Sequence, residues 1–149
     1  MLFRSPFMSQ ALELAASAAE RGEVPVGALI VREGRVIATA TNAMCNGHDP
    51  TAHAEMLVIQ AACKARGSKY LQDCTLVVTL EPCAMCAQAA SLAKVKKVIF
   101  GAFDPKGGGV EHGARVFSQP TCHHAPEVIG GVQAEECGAL LVDFFKARR

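Results

Sequence analysis

Thr75-Leu76-Val77-Val78-Thr79-Leu80-Glu81-Pro82-Cys83-Ala84-Met85-Cys86 passes from a continuous apolar run straight into a proline and a C-x-x-C pair. Its first six residues read as a strand covered on both faces, as in the parallel part of a sheet. Pro82 fits the first position of a helix, where its missing N–H costs nothing. Cys83 and Cys86 then share one face of the first turn, and the helix runs on to about Ala93. Val98-Ile99-Phe100-Gly101 follows as a short buried strand. A strand–helix–strand unit of this kind implies parallel pairing through a right-handed crossover.

Working outward, Ser5-Pro6 marks a cap and first turn. Phe7, Ala11, Leu14, Ala15 and Ala18 then recur at helical spacing as far as Arg21-Gly22. Val24 to Arg32 and Arg35 to Thr41 are apolar and β-branched, and Glu33-Gly34 between them predicts a hairpin. Asn42 to Pro50 reads as a polar loop and Ala52 to about Arg66 as a helix, with Thr51 its cap. Beyond the second buried strand, Ala102 to Pro126 is a long connection rich in glycine and histidine, and loops of that length are usually functional. Glu127 to Val132 offers a fifth strand. Cys137, Leu140, Leu141, Phe144 and Phe145 mark a terminal amphipathic helix. The order predicts a three-layer α/β/α sandwich around a mixed, mostly parallel sheet of about five strands, forming one domain over residues 1–149.

Half of the 149 residues are hydrophobic and the mean hydropathy is +0.21, which predicts a compact globule and excludes disorder. The formal net charge of +1 gives no bulk electrostatic case for nucleic acid or an anionic membrane, so an RNA partner would be met by a local patch. No apolar run reaches about 20 residues, and Met1 to Gln10 lacks the apolar core of a signal peptide. Seven cysteines, an odd number, then fit a reducing cytoplasm with metal-bound thiolates better than a disulfide framework.

His53-Ala54-Glu55 lies 26 residues (56–81) before Pro82-Cys83-Ala84-Met85-Cys86. One imidazole, two thiolates and a carboxylate that need not be a ligand make up a catalytic zinc site, in which three protein ligands leave a position open for water. On a regular helix His53 and Glu55 would diverge by about 200°. Both reach one ion only if it sits off the helix end. Two helix N-termini aimed at one site are expected, each favouring negative charge. A structural zinc would need a fourth protein ligand. Cys45, His48, Cys63 and the Cys122-His123-His124 cluster are the candidates, none at motif spacing. A redox C-x-x-C pair would leave His53-Ala54-Glu55 unexplained. The other histidines read as loop residues, the remaining cysteines as small hydrophobes or free thiols, and Lys94, Lys96 and Lys97 as a solvated turn.

These two motifs resemble those of the zinc-dependent cytidine deaminase-like superfamily. Glu23-Val24-Pro25-Val26-Gly27-Ala28, Asp49-Pro50-Thr51-Ala52-His53-Ala54-Glu55, Thr79-Leu80-Glu81-Pro82-Cys83 and Asp143-Phe144-Phe145 with Lys146, Arg148 and Arg149 resemble its tRNA-specific adenosine deaminases. The resemblance implies a cytidine deaminase-like fold and one zinc per subunit. It also implies deamination of the wobble adenosine in a tRNA anticodon stem-loop by a cytoplasmic homodimer. Residue by residue it implies His53, Cys83 and Cys86 as zinc ligands and Glu55 as proton shuttle. Asn42 and Ala54 would then contact the purine, and Lys106, Phe144 and Arg148 the stem-loop. The long loop departs from the family pattern at Gly107-Gly108-Gly109-Val110-Glu111-His112 and at His123-His124. The terminal basic residues fit an RNA contact and a helix end complementing its own dipole equally well. A deaminase of a free base or nucleoside, of guanine or cytosine type, shares the same metal motif, and a non-catalytic zinc module is the alternative outside enzymes.

Overall fold

A computed structural model describes residues 5–148. Helix α1 (Pro6–Glu20) is followed by a hairpin of β1 (Gly27–Arg32) and β2 (Arg35–Thr41), then α2 (Ala54–Arg66) and β3 (Cys74–Leu80). Helix α3 (Ala84–Leu92), β4 (Lys97–Ala102), a 3₁₀ turn (Val116–Ser118), β5 (Glu127–Ile129) and α4 (Ala134–Lys146) complete the chain. Ser5 caps α1 by accepting the Met8 N–H, and Pro6 takes the first helical position. Glu33 and Gly34 both adopt positive φ, as a tight hairpin turn requires.

The five strands run in the order β2-β1-β3-β4-β5. Strand β1 pairs antiparallel with both β2 and β3, while β3–β4 and β4–β5 are parallel. The sheet is thus mixed, with two of its four pairings parallel, because β1 runs antiparallel to both of its neighbours.

Alternation along the strands sends side chains into two cores. Ile30, Leu76, Val78, Val98 and Phe100 pack under α2 and α3 with Val58, Ala62, Ala87 and Ala90. Leu29, Val31, Val77 and Ile99 face the opposite way, against Met8 and Ala11 of α1 and Cys137 of α4. These are the three layers expected. Among the described residues no helix is long and apolar enough to cross a membrane.

Two helix starts differ from the sequence reading, each by a residue or two. Thr51 does not cap α2: its N–H and hydroxyl both bond Asp49 Oδ1, closing a turn that consumes the cap candidate. The cap is His53, extended at φ −73°, ψ 150°, whose carbonyl accepts the Leu57 N–H. Pro82 likewise stands one residue before the cap Cys83, and the Cys83 carbonyl accepts the Ala87 N–H. Val24 and Val26 also lie outside β1. All three shifts fall at the carboxyl edge of β3 and β4, where ligands bind in open α/β sheets.

Candidate active site

Both helices that begin at this edge use a candidate ligand as the capping residue. His53 caps α2 and Cys83 caps α3, and neither side chain bonds its own helix. The side chains are therefore free to point away from the helix ends, while the first N–H groups and the dipole favour a thiolate. Cys86 lies one turn into α3, fully buried. His53 Nδ1 is 3.5 Å from Cys83 Sγ and 3.5 Å from Cys86 Sγ. The three donor atoms all lie within 4.8 Å of one another. A tetrahedral zinc with bonds of about 2.05 Å to nitrogen and about 2.3 Å to sulfur would place such pairs about 3.6 Å apart. The donor set therefore fits zinc in both chemistry and spacing.

A hydrogen bond with the Cys86 thiol holds Cys83 down to about 4 against its burial, with the His53 ring adding to the effect. Cys83 is thus ionised at neutral pH, as a metal ligand must be. The same bond, and then burial, raise Cys86, and the bond to Cys83 raises His53. Among the described residues this is the group of three positioned to hold an ion. Cys45, His48, Cys63, Cys122, His123 and His124 stand outside it, so no fourth protein ligand closes the site. Those cysteines are unpaired, and Cys45 is exposed.

His53 and Cys83 open onto a cavity of about 530 Å³, walled by Val24, Val26, Leu80 and Leu141. That volume suits a small ligand with a few convergent polar groups. Glu55 supplies one of those groups: it is buried yet lines the cavity, and burial raises its carboxyl to about 7. Asn42, at the end of β2, is another. Its Oδ1 accepts the Ala54 N–H at 2.8 Å, which ties β2 to the first residue of α2. The Ala54 N–H, expected to face the purine, thus donates to Asn42, and the Ala54 side chain is fully buried.

The expected RNA contacts divide. Lys106 is exposed but does not line the cavity, and its N–H closes a turn on Asp104 Oδ1. Phe144 is buried under the Arg148 guanidinium, which lies 3.6 Å from its ring centroid and donates to its carbonyl. Its neighbour Phe145 lines the cavity instead. Arg149 lies outside the described residues.

Two carboxylates and one aromatic ring were not singled out by sequence. Glu23 is buried and accepts the N–H groups of Cys45 and Asn46, fixing the loop beside the cavity residue Met44. Glu81, equally buried, accepts N–H groups from Asp104, Val110, Glu111 and His112 and bonds His112 Nδ1 at 2.8 Å. Burial alone would raise the Glu81 carboxyl, but these donors hold it below its ordinary value. Phe103, after β4, lines the cavity. The L-E-P-C run was a sequence signal for Glu81. Nothing comparable marked Phe103. His124 is structural: its ring bonds the Val95 carbonyl and its own carbonyl accepts Ser91 Oγ, whereas His123 is exposed.

Residues 2–102 match the family model of the cytidine and deoxycytidylate deaminase zinc-binding region. The tRNA-specific adenosine deaminase of Agrobacterium fabrum (strain C58) is 52% identical over 149 residues, covering 100% of this chain and 98% of the relative. The enzyme of the same name from Bacillus subtilis (strain 168) is 48% identical, over 96% of this chain and 89% of the relative. A solved structure described under A-to-I editing by tRNA:A34 deaminases at the wobble position of transfer RNA superposes with a TM-score of 0.90. It is 53% identical and covers 93% of this chain and 100% of its own. Three converging donors, a buried carboxylate beside them and these matches lead to one conclusion: the chain belongs to the zinc-binding cytidine and deoxycytidylate deaminase family and, within it, to the tRNA-specific adenosine deaminases.

Proposed function

We propose that this chain converts the wobble adenosine of a tRNA anticodon to inosine, consuming one water and releasing ammonia. The observation that carries the reading is the buried Glu55 carboxyl, set beside three zinc donors at one end of a cavity sized for a base. His53, Cys83 and Cys86 would hold a zinc ion, which would supply Lewis acidity and lower the pKa of a water beside Glu55. Glu55 takes one proton from the water and delivers it to ring N1 as the water oxygen bonds C6, then takes the second proton from that oxygen and passes it to the amino group as the C6–N bond breaks, leaving a C6 carbonyl and ammonia. A carboxyl raised by burial holds a proton more readily than an exposed one, which suits it to both acceptance and delivery. Because the Asn42 oxygen is engaged by Ala54, the amide NH₂ is what it offers to a purine ring nitrogen. The apolar walls exclude bulk water and strengthen these contacts.

The same proposal makes the enzyme a cytoplasmic homodimer built of one domain per chain. An outer groove between α2 and α3, lined by Ile59, Tyr70 and Leu92, supports the dimer, since Leu92 is 68% exposed there. Sedimentation of the zinc-loaded protein tests that part. For the reaction, total tRNA is incubated with the protein and inosine is mapped by reverse transcription. Ammonia release is followed in parallel from free adenine, adenosine, guanine and cytosine. Conversion confined to an anticodon first position supports the reading. Rapid release from a free base with tRNA untouched refutes it.

A further inference from the structure

Among the described residues five large apolar side chains are exposed, and Phe103, Val142 and Phe145 of these five line the cavity. Exposed apolar area is thus gathered at the cavity rim, where it marks a contact surface and not chance exposure. Phe103 is the ring that the fold holds in place from several directions. It meets Phe100 edge-on, with centroids 5.2 Å apart at 90°, and His112 at 6.2 Å and 77°. His112 is itself fixed by Glu81, and Gly131 lies so close that a Cβ there would stand 3.2 Å from Phe103 Cε2. Even so the residue stays 47% exposed. A side chain placed there only for packing would be better buried. This one is fixed and left open.

We propose that Phe103 is a stacking platform for a nucleobase adjacent to the target adenosine, and so helps set affinity for the RNA loop and its local sequence preference. The inference rests on the tRNA deaminase reading. A base that reaches the buried Glu55 and the metal donors has left its stack, and its neighbours each lose a stacking face. Single-stranded RNA regains that energy on aromatic side chains. Val142 can supply contact at the same rim but no π face. A deaminase of free bases would gain nothing from an aromatic ring held outside the reacting group.

The test uses an anticodon stem-loop carrying 2-aminopurine at one or other nucleotide flanking the target, with the zinc-loaded full-length protein. Stacking on an aromatic ring quenches the probe. Wild type should quench it at one flank. Phe103→Leu, which keeps apolar bulk without a π face, should lose that quenching and weaken RNA binding by about five- to a hundredfold, the effect of removing one base–aromatic stack. KM should move more than kcat, zinc content should be unchanged, and Phe103→Tyr should restore both quenching and affinity. A Phe103→Leu protein that binds and quenches like wild type overturns the inference while leaving the deaminase reading intact. If wild type leaves the target adenosine of the stem-loop unconverted, the parent reading fails and this one falls with it.

Discussion

Glu81→Gln isolates what the buried carboxylate does for the loop over the site. Oε1 serves Asp104 N–H at 3.0 Å and His112 Nδ1 at 2.8 Å, while Oε2 serves the N–H groups of Val110, Glu111 and His112 at 3.2, 2.9 and 3.1 Å. An amide has one acceptor oxygen. Turned to satisfy the three donors, it sets its NH₂ against the Asp104 N–H; turned the other way, it strands three donors. The less costly orientation leaves one partly buried donor unpaired, at about 1–3 kcal/mol, and also removes the charge that strengthened the other bonds. The neighbouring glycines leave little room to relax, since a Cβ at Gly108 would overlap Glu81 Oε2 and one at Gly109 would overlap the Ala84 nitrogen. We expect a loss of about 2–3 kcal/mol, which lowers Tm by roughly 4–12 °C for a domain of this size. Thermal denaturation of the zinc-loaded protein measures it, with limited proteolysis of residues 104–112 as a local readout and metal analysis expected to show zinc retained. A Tm within about 1 °C of wild type, with the loop no more cleavable, would refute the claim that Glu81 holds it.

Glu55→Gln should cut turnover on the order of a thousandfold while zinc stays stoichiometric by metal analysis, because Glu55 lies beside the donor set and not in it. Zinc loss in that variant would make Glu55 a ligand after all. Cys86→Ser should lose both zinc and heat stability, since metal affinity is also folding energy; a variant that retains full zinc refutes its place among the donors. Asp73, bridged by Arg32 and Arg66 at 2.6 Å each, is held down to about 2 by these partners against its modest burial. Its folded value lies below the ordinary 3.8 of an aspartate, so its stabilisation is present above that value and is lost as pH falls toward 2. The Tm gap between wild type and Asp73→Asn should therefore narrow only below about pH 4, and a gap that is constant from pH 6 to 3 would contradict the pairing.

The layers were legible because they rest on periodicity over whole elements. The β-branched run before Pro82 and the apolar positions of α1 leave few alternatives, and the metal donors follow from residue type and spacing. What periodicity could not settle was which of two adjacent residues on α4 faces which way. Leu141 and Phe145, four apart, line the cavity beside Gly138 and Val142, whereas Cys137 and Phe144, seven apart, form a neighbouring buried stripe. Both stripes fit a helix, and choosing between them requires knowing where the cavity is. The helix starts were misplaced for a related reason. Thr51 and Pro82 are good termini by type, but a tight Asx turn and a strand exit displaced them in favour of two ligands, which local preference does not favour as caps. Glu81 was hidden because all its partners lie 23 to 31 residues further along the chain.

The residues flanking the ligands explain how the donor set converges although neither capping side chain bonds its own helix. Immediately after His53, the Ala54 N–H is fixed by Asn42. Immediately before Cys83, the Pro82 carbonyl accepts the Gly109 N–H, and Glu81 one residue earlier anchors the loop that carries Gly109. Each helix end is thus held by a neighbour of the ligand, leaving the ligand side chain free for the ion and the cavity. Among the described residues no buried side-chain nitrogen or oxygen lacks a partner, so this fixing leaves no polar group stranded. It also assigns separate tasks to groups that share the cavity. On the proposed reading the donors would hold the metal, Glu55 would carry protons and Asn42 and Phe103 would meet bases, while Glu81 and Glu23 hold the loops beside the cavity. Sites built this way keep their geometry when one task is altered, which is the condition under which the substitutions above can be read as losses of function at single groups.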